Sequence, residues 1–343
     1  MPVLSDGHPE SVGASLPDAS RFPREPATWY IFCPSSDLKT RPRSKEILGR
    51  RLVAYRTASG GANVLDAHCA HLGADLGRGK IVEETIRCPF HHWRFSADGQ
   101  CAAIPGCDRV PESARLRSYP TVERHGYVFF FNGPEPLFQL PFFPDCEEDD
   151  FAASAPFRFE MDCPWFMLVA NGFDGQHFQS VHDRKLISTP IIDCPDPFAR
   201  RMRFKADVMG TTICDRLLRW FVGKEVEVSI TTWGGPHVLV EGRFGRAYSR
   251  LLVASQPLGT DRTLSEVIVF ARRAPRHLGG NVADGLSLRV RRLFTKEFMR
   301  YDIDRLSGVR YQPQGLIDQD KELIEYFHWL TRLPRSEYEE SEQ

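Results

Sequence analysis

Apolar positions along this chain recur first in short, strand-sized runs and only later with helical spacing. Residues 29–32 (Trp-Tyr-Ile-Phe), 47–49 and 52–55 are β-formers separated by polar and Gly-containing turns. Residues 96–99, Ser-Ala-Asp-Gly, carry a hairpin signal, and 126–133 read as one continuous buried strand. Together, residues 25–135 predict a small all-β domain. A stretch with five prolines and the acidic run 147–150 follows at 134–157, placing a linker at about 136–160. From 161 to 334 the pattern changes. A helix is predicted at 165–181, then strands at 201–208, 226–233, 237–243, 248–254 and 265–272. A long helix is expected over 284–306, with Leu286, Val290, Leu293, Phe294 and Tyr301 as its apolar stripe. A last helix is expected over 319–331. An antiparallel sheet bracketed by helices makes the second part α+β. Residues 1–24 read as a disordered arm and 335–343 as a frayed acidic tail.

Composition narrows the function. The chain has 343 residues, enough for two cored domains, and 44 basic against 45 acidic side chains. Such balance argues against a nucleic-acid partner held by bulk charge. The start lacks the basic and apolar regions of a signal peptide, and no apolar run approaches the ~20 residues of a membrane span. A cytoplasmic protein without a membrane partner is expected. Of the nine cysteines, all but Cys69 and Cys88 show no framework spacing and read as reduced thiols.

Four residues stand apart: Cys69-Ala-His71 and Cys88-Pro-Phe-His91. Zinc also takes two Cys and two His, but usually pairs like with like. One Cys and one His from each loop instead suits a [2Fe–2S] cluster with two thiolates on one iron and two imidazoles on the other. His68 and His92 have the wrong offset and read as neighbours or surface groups. With the flanks His68 to Leu76 and Cys88 to Phe95, the pattern closely resembles the Rieske family. Rieske proteins of respiratory complexes add a disulfide between these loops. Ala74 and Phe90 stand there instead, so the resemblance is to the lower-potential type of oxygenases and their ferredoxins. His92 replaces a more usual Gly and is read as a tolerated surface change, and Trp93 is expected to cover the cluster.

Downstream lies Asp174-x-x-His177-x-x-x-x-His182. Histidines five apart sit about 140° apart on an ideal helix, so a shared metal requires a π-bulge or a helix end between them. Asp174 could hold an imidazole N–H of His177. In a helix, two histidines are often ordinary core or surface groups. After a Rieske motif, however, the pattern resembles the catalytic domain of Rieske non-haem iron oxygenases, whose iron is held by two His and a distant carboxylate. The family places that carboxylate near the C-terminus, where Asp318 and Asp320 are candidates. Asp320 falls on the apolar face of Leu323, Ile324, Phe327 and Leu330, whereas Asp318 has a ready role as a helix cap. Asp320 is therefore the expected ligand.

The resemblance implies a Rieske domain followed by a helix-grip catalytic domain. It implies one [2Fe–2S] cluster on Cys69, His71, Cys88 and His91, and one mononuclear Fe(II) on His177, His182 and Asp320. A separate reductase or ferredoxin would supply electrons from NAD(P)H, and O₂ and a small apolar organic substrate would react at the iron. A homotrimer is implied, with Asp174 bridging His177 and a neighbour's His91. Monooxygenation, as hydroxylation or demethylation, is favoured. Ring cis-dihydroxylation and N-oxygenation stay open, as does a different class, an electron-transfer Rieske protein without catalysis.

Overall fold

A computed structural model describes residues 16–245, 247–275 and 280–339. Most of the expected arm, residues 1–15, and the tail end, 340–343, lie outside these residues. The rest of both termini is packed. Phe22 is buried against Phe166, Tyr311 and Phe327. The tail is not frayed up to residue 339: Ser336 is buried, its N–H bonds the Glu25 carbonyl, and the Tyr338 ring lies under Arg50 and Arg117. An aromatic ring gripped by two guanidiniums holds a terminus that charge alone would leave loose.

The N-terminal part consists of three small antiparallel sheets. Strand Tyr127–Phe131 lies between Trp29–Pro34 and Thr121–Arg124, and Arg43–Ile47, Arg50–Arg56, Ala62–Asp66 and Ser118–Tyr119 form the second sheet. The third, Lys80–Val82, Thr85–Arg87, Arg94–Phe95 and Cys101–Ala103, carries the Cys88–His91 loop. The run 127–131 is buried at every position, because alternate side chains enter different cores. Tyr127, Phe129 and Phe131 pack towards the second domain, while Val128 and Phe130 face the first.

The second domain is built on a nine-stranded sheet, with its central strands antiparallel in the order Thr263–Arg272, Ala247–Pro257, His237–Phe244, Glu225–Trp233 and Ala199–Val208. These strands alternate imperfectly in sequence because the sheet is covered on both faces. Leu239, Leu252, Ile268 and Phe270 meet the N-terminal domain, while Val238, Val253, Val267 and Val269 meet helices. The end of the expected linker joins this sheet: Phe151–Ala153 pairs with Thr263–Arg272, and Phe138 and Phe143 are buried between the domains.

The helices are α1 (Trp165–Ala170), α2 (Gly175–Ser180), α3 (Ile213–Val222), α4 (Gly280–Leu306) and α5 (Lys321–Leu330). The helix expected over 165–181 is two helices. A 3₁₀ turn, Asn171–Phe173, and an extended Asp174 separate them. Gly172 permits that turn to lie on the sheet, since a Cβ there would come 2.9 Å from the Ile230 side chain. The expected stripe of α4 is not its buried face. Leu286, Val290 and Leu293 are exposed, whereas Thr295, Met299, Asp302 and Leu306 are buried.

Candidate metal centres

The first site is formed by two loops. In one, the Cys69 N–H donates to the Ala74 carbonyl and the Gly73 N–H to the Cys69 carbonyl, closing a tight turn around His71. In the other, the Cys88 N–H donates to the Trp93 carbonyl. Both thiols are buried, while His71 and His91 are exposed with ring centroids 4.7 Å apart. The Trp93 ring stacks on His71 at 4.6 Å, shielding this side of the loops. His92 is exposed with φ 61°, a left-handed conformation that glycine adopts without strain. His68 bonds the Gly73 carbonyl through Nδ1 and stays outside the four. Two buried thiols and two outward imidazoles on neighbouring loops fit the donor set of a Rieske cluster, which these four residues would hold.

The second site lies at the end of α2. The Asp174 carboxylate caps this helix, accepting the main-chain N–H groups of Gln176 and His177 at 2.8 and 3.0 Å. Its described bond to His177 therefore goes to the backbone and not to the imidazole. The helix stops at Ser180, and the Val181 N–H donates to the His177 carbonyl. A helix end, not a π-bulge, thus turns His182 back beside His177. Their Nε2 atoms are 3.0 Å apart.

The third member of the group is Asp302 of α4. Its Oδ1 lies 2.9 Å from His177 Nε2 and 3.0 Å from His182 Nε2, and all three residues are buried. Among the described residues, these three form the sole group of His, Cys or acidic side chains close enough to share one ion. Asp320 is elsewhere, which corrects the sequence expectation. Its carboxylate accepts the Ile317 N–H at 2.9 Å and the Gln176 side-chain amide at 2.8 Å. α5 begins only at Lys321, with Asp320 as its N-cap residue, so the apolar face of the helix does not extend to this side chain. Asp318 is exposed.

The donor atoms fit a six-coordinate metal. Ligands about 2.1 Å from an octahedral centre are about 3.0 Å apart on one face, whereas a tetrahedron of that radius spaces them at about 3.4 Å. Observed separations of 2.9–3.0 Å match the octahedral face. Burial opposes charge on Asp302, but its bonds to the two imidazoles outweigh this and hold its carboxyl below the ordinary carboxylate range. Burial likewise pushes the His182 imidazole down, keeping it neutral as a metal ligand must be. Phe298 stacks on His182 at 3.8 Å, fixing the ring. Arg184 donates to the His182 carbonyl at 2.7 Å and to the buried Asp215 at 2.8 Å. Asp215 accepts in turn from Thr212, the N-cap of α3. One ion pair therefore ties the position of His182 to the start of α3.

The three residues form part of the wall of a cavity of about 510 Å³, lined mainly by Val, Ile, Leu and Phe from the sheet, α1, α3 and α4. Its two arginines are engaged, Arg184 as above and Arg291 with Ser287 and the Tyr248 carbonyl. Asn171 also lines it, and its side-chain N–H₂ is buried without a hydrogen-bond partner.

Residues 28–120 match the family model of the Rieske [2Fe–2S] domain. Over 166 residues the chain is 42% identical to aminopyrrolnitrin oxygenase PrnD of Pseudomonas fluorescens, covering 46% of each chain. It is 44% identical over 108 residues to the oxygenase component of a 3-ketosteroid-9-alpha-monooxygenase of Rhodococcus rhodochrous, 31% of this chain and 28% of that one. The chain thus spans less than half the length of these relatives. Its fold is similar to NdmB of Pseudomonas putida CBB5 (TM-score 0.64, 18% identity, 89% of this chain and 90% of that one). It is also similar to dicamba monooxygenase (TM-score 0.59, 19% identity, 89% and 97%). Residues 28–120 are thus a Rieske [2Fe–2S] domain, part of the chain is similar to Rieske-type oxygenases, and the two domains together share the fold of solved monooxygenase structures.

Proposed function

We propose that the chain is the oxygenase component of a system that mono-oxygenates a small, neutral, apolar organic molecule by hydroxylation or demethylation. The observation that carries this reading is the His177, His182 and Asp302 group in the wall of an apolar cavity. Cys69, His71, Cys88 and His91 would hold the [2Fe–2S] cluster, and His177, His182 and Asp302 the mononuclear Fe(II). When bound, the cluster handles single electrons and the mononuclear iron supplies open coordination positions for dioxygen chemistry.

The remaining roles belong to the protein. The cavity walls exclude water and take up an apolar substrate. Both cavity guanidiniums are engaged, so a carboxylate would lack a ready partner and a neutral molecule is favoured. The unpartnered Asn171 amide would donate to one oxygen or nitrogen of the substrate. Phe298 and Arg184 hold His182 in place, and Asp174 fixes the helix that presents His177. A separate reductase or ferredoxin would deliver electrons from NAD(P)H. A homotrimer would bring a neighbour's His91 to Asp174, as the family resemblance implies. All nine cysteines are free of disulfides, which suits the reducing cytoplasm.

Iron analysis and isotope labelling test this. Anaerobic loading should give three irons per chain, two in the cluster and one mononuclear. With a surrogate reductase, one atom from ¹⁸O₂ should enter the product of a neutral apolar substrate. Two irons per chain and no substrate-dependent O₂ uptake would instead identify an electron carrier.

A further inference from the structure

The mouth of the cavity presents an apolar surface to solvent. On α3, Ile213, Trp220 and Phe221 are 76%, 77% and 70% exposed, and Leu217 is exposed beside them. They recur at i, i+4, i+7 and i+8, so one face of a strongly amphipathic helix points away from the protein. On α4, Val282, Leu286, Val290 and Leu293 are also exposed, again with helical spacing. Leu217, Phe221 and Val290 line the cavity too, so the two helix faces meet around its opening.

Charge indicates what covers this surface. Residues 213–224 contain Arg216, Arg219 and Lys224 against the single acid Asp215, and residues 280–293 contain Arg289, Arg291 and Arg292 against the single acid Asp284. Both acids are buried: Asp215 pairs with Arg184, and Asp284 accepts the Ala274 N–H. Among the described residues Lys224 pairs with Asp207, and Arg219, Arg291 and Arg292 keep their charge while donating to main-chain carbonyls, so Arg216 and Arg289 are the exposed guanidiniums open to an anionic surface. In a chain whose formal net charge is −1, this rim is locally basic. Outward Trp, Phe, Leu and Ile flanked by arginine match a helix that lies in a lipid headgroup region.

We propose that α3 and the first half of α4 dock peripherally on an anionic lipid surface, with the cavity mouth facing the bilayer. No described helix is long and apolar enough to cross a membrane, so the contact lies on the surface and does not span it. The sequence alone pointed to no membrane partner, and this proposal departs from that expectation. It builds on the neutral, apolar substrate proposed above, which would partition into lipid and enter the cavity without crossing water. Lipid binding itself does not depend on turnover.

The test uses the full-length, cluster-loaded protein with vesicles of phosphatidylcholine, alone or with added phosphatidylglycerol. The protein should pellet with the anionic vesicles, less with neutral ones, and less as salt rises. Ile213→Ser/Trp220→Ser should lower vesicle binding about tenfold or more. Leu286→Ser/Leu293→Ser should weaken it similarly, and this variant keeps Trp220, the most exposed tryptophan, as a fluorescence reporter. None of these four residues lines the cavity, so product formation from a dissolved substrate should stay unchanged. Absence of pelleting with either vesicle, or variants that bind like the parent, would overturn the proposal. So would variants that break self-association in sedimentation velocity without affecting lipid binding, since the surface would then join copies of the chain. Loss of oxygenase activity in the parent with lipid binding intact would count against the proposed function alone.

Discussion

The two candidate iron sites differ in how the chain assembles them. All four proposed cluster ligands lie within residues 69–91, in two loops whose shape is set by a few local main-chain hydrogen bonds. The mononuclear group joins two histidines at the end of α2 to Asp302 on α4, far along the chain. The first site depends on turns, whereas the second depends on the sheet packing correctly against α4. Perturbing the packing should therefore empty the second site while sparing the first.

The largest expected effect separates the two carboxylates. Asp302→Ala should lose the mononuclear iron and lower product formation at least about 100-fold, while the visible spectrum of the cluster is unchanged. Asp320→Ala should keep three irons and lose only the carboxylate's bonds to the Ile317 N–H and the Gln176 amide, worth about 1 kcal/mol each, read as a small fall in Tm. If Asp320→Ala loses the iron and Asp302→Ala keeps it, the ligand assignment is wrong.

Next is the ion pair behind His182. Asp215→Ala leaves the Arg184 guanidinium buried without its partner, at a cost of about 3–5 kcal/mol in stability. Retention of the mononuclear iron against a chelator should fall about tenfold or more, with cluster absorbance intact. Equal loss from both centres would show that the pair supports the whole fold instead of one ligand.

A pH effect follows from buried imidazoles. Burial lowers His237 to about 3 and His125 to about 4, and both lie where the two domains meet. The unfolded chain binds protons on these residues from about pH 6.5 downward, whereas the folded chain does not. Their neutral burial therefore costs nothing above that pH and progressively destabilises the fold as pH falls towards 4. Tm should drop between pH 7 and pH 5, and His237→Phe should make that slope shallower. An unchanged slope would show that His237 does not contribute to it.

The smallest effect concerns the C-terminal clamp. Tyr338→Ala should cost about 1 kcal/mol and speed proteolysis near residue 335, with both metal sites unaffected. Proteolysis at the parental rate would mean that the ring contacts do not hold the terminus.

Much of this was legible in the sequence. The five central strands lie close to the spans read from the sequence despite their imperfect alternation, and of the π-bulge or helix end that a metal shared by His177 and His182 would need, the helix end is observed. Asp320 was misplaced because helical facing was extrapolated one residue too far, into the cap of α5. The same test applied to α4 points to Asp302, which shares a face with the buried Met299 and Leu306. The more conspicuous stripe of Leu286, Val290 and Leu293 masked that face, because apolar periodicity shows that a helix is two-sided without showing which side meets protein.

Local chemistry in the sequence alone determined the β-domain and the α+β domain and singled out the two candidate cluster loops, because turns, thiolate spacing and strand alternation act over a few residues. Only the tertiary structure decided which aspartate joins the histidines and which face of α4 is covered. Those outcomes depend on contacts between segments distant in sequence, and no local pattern encodes how such segments dock.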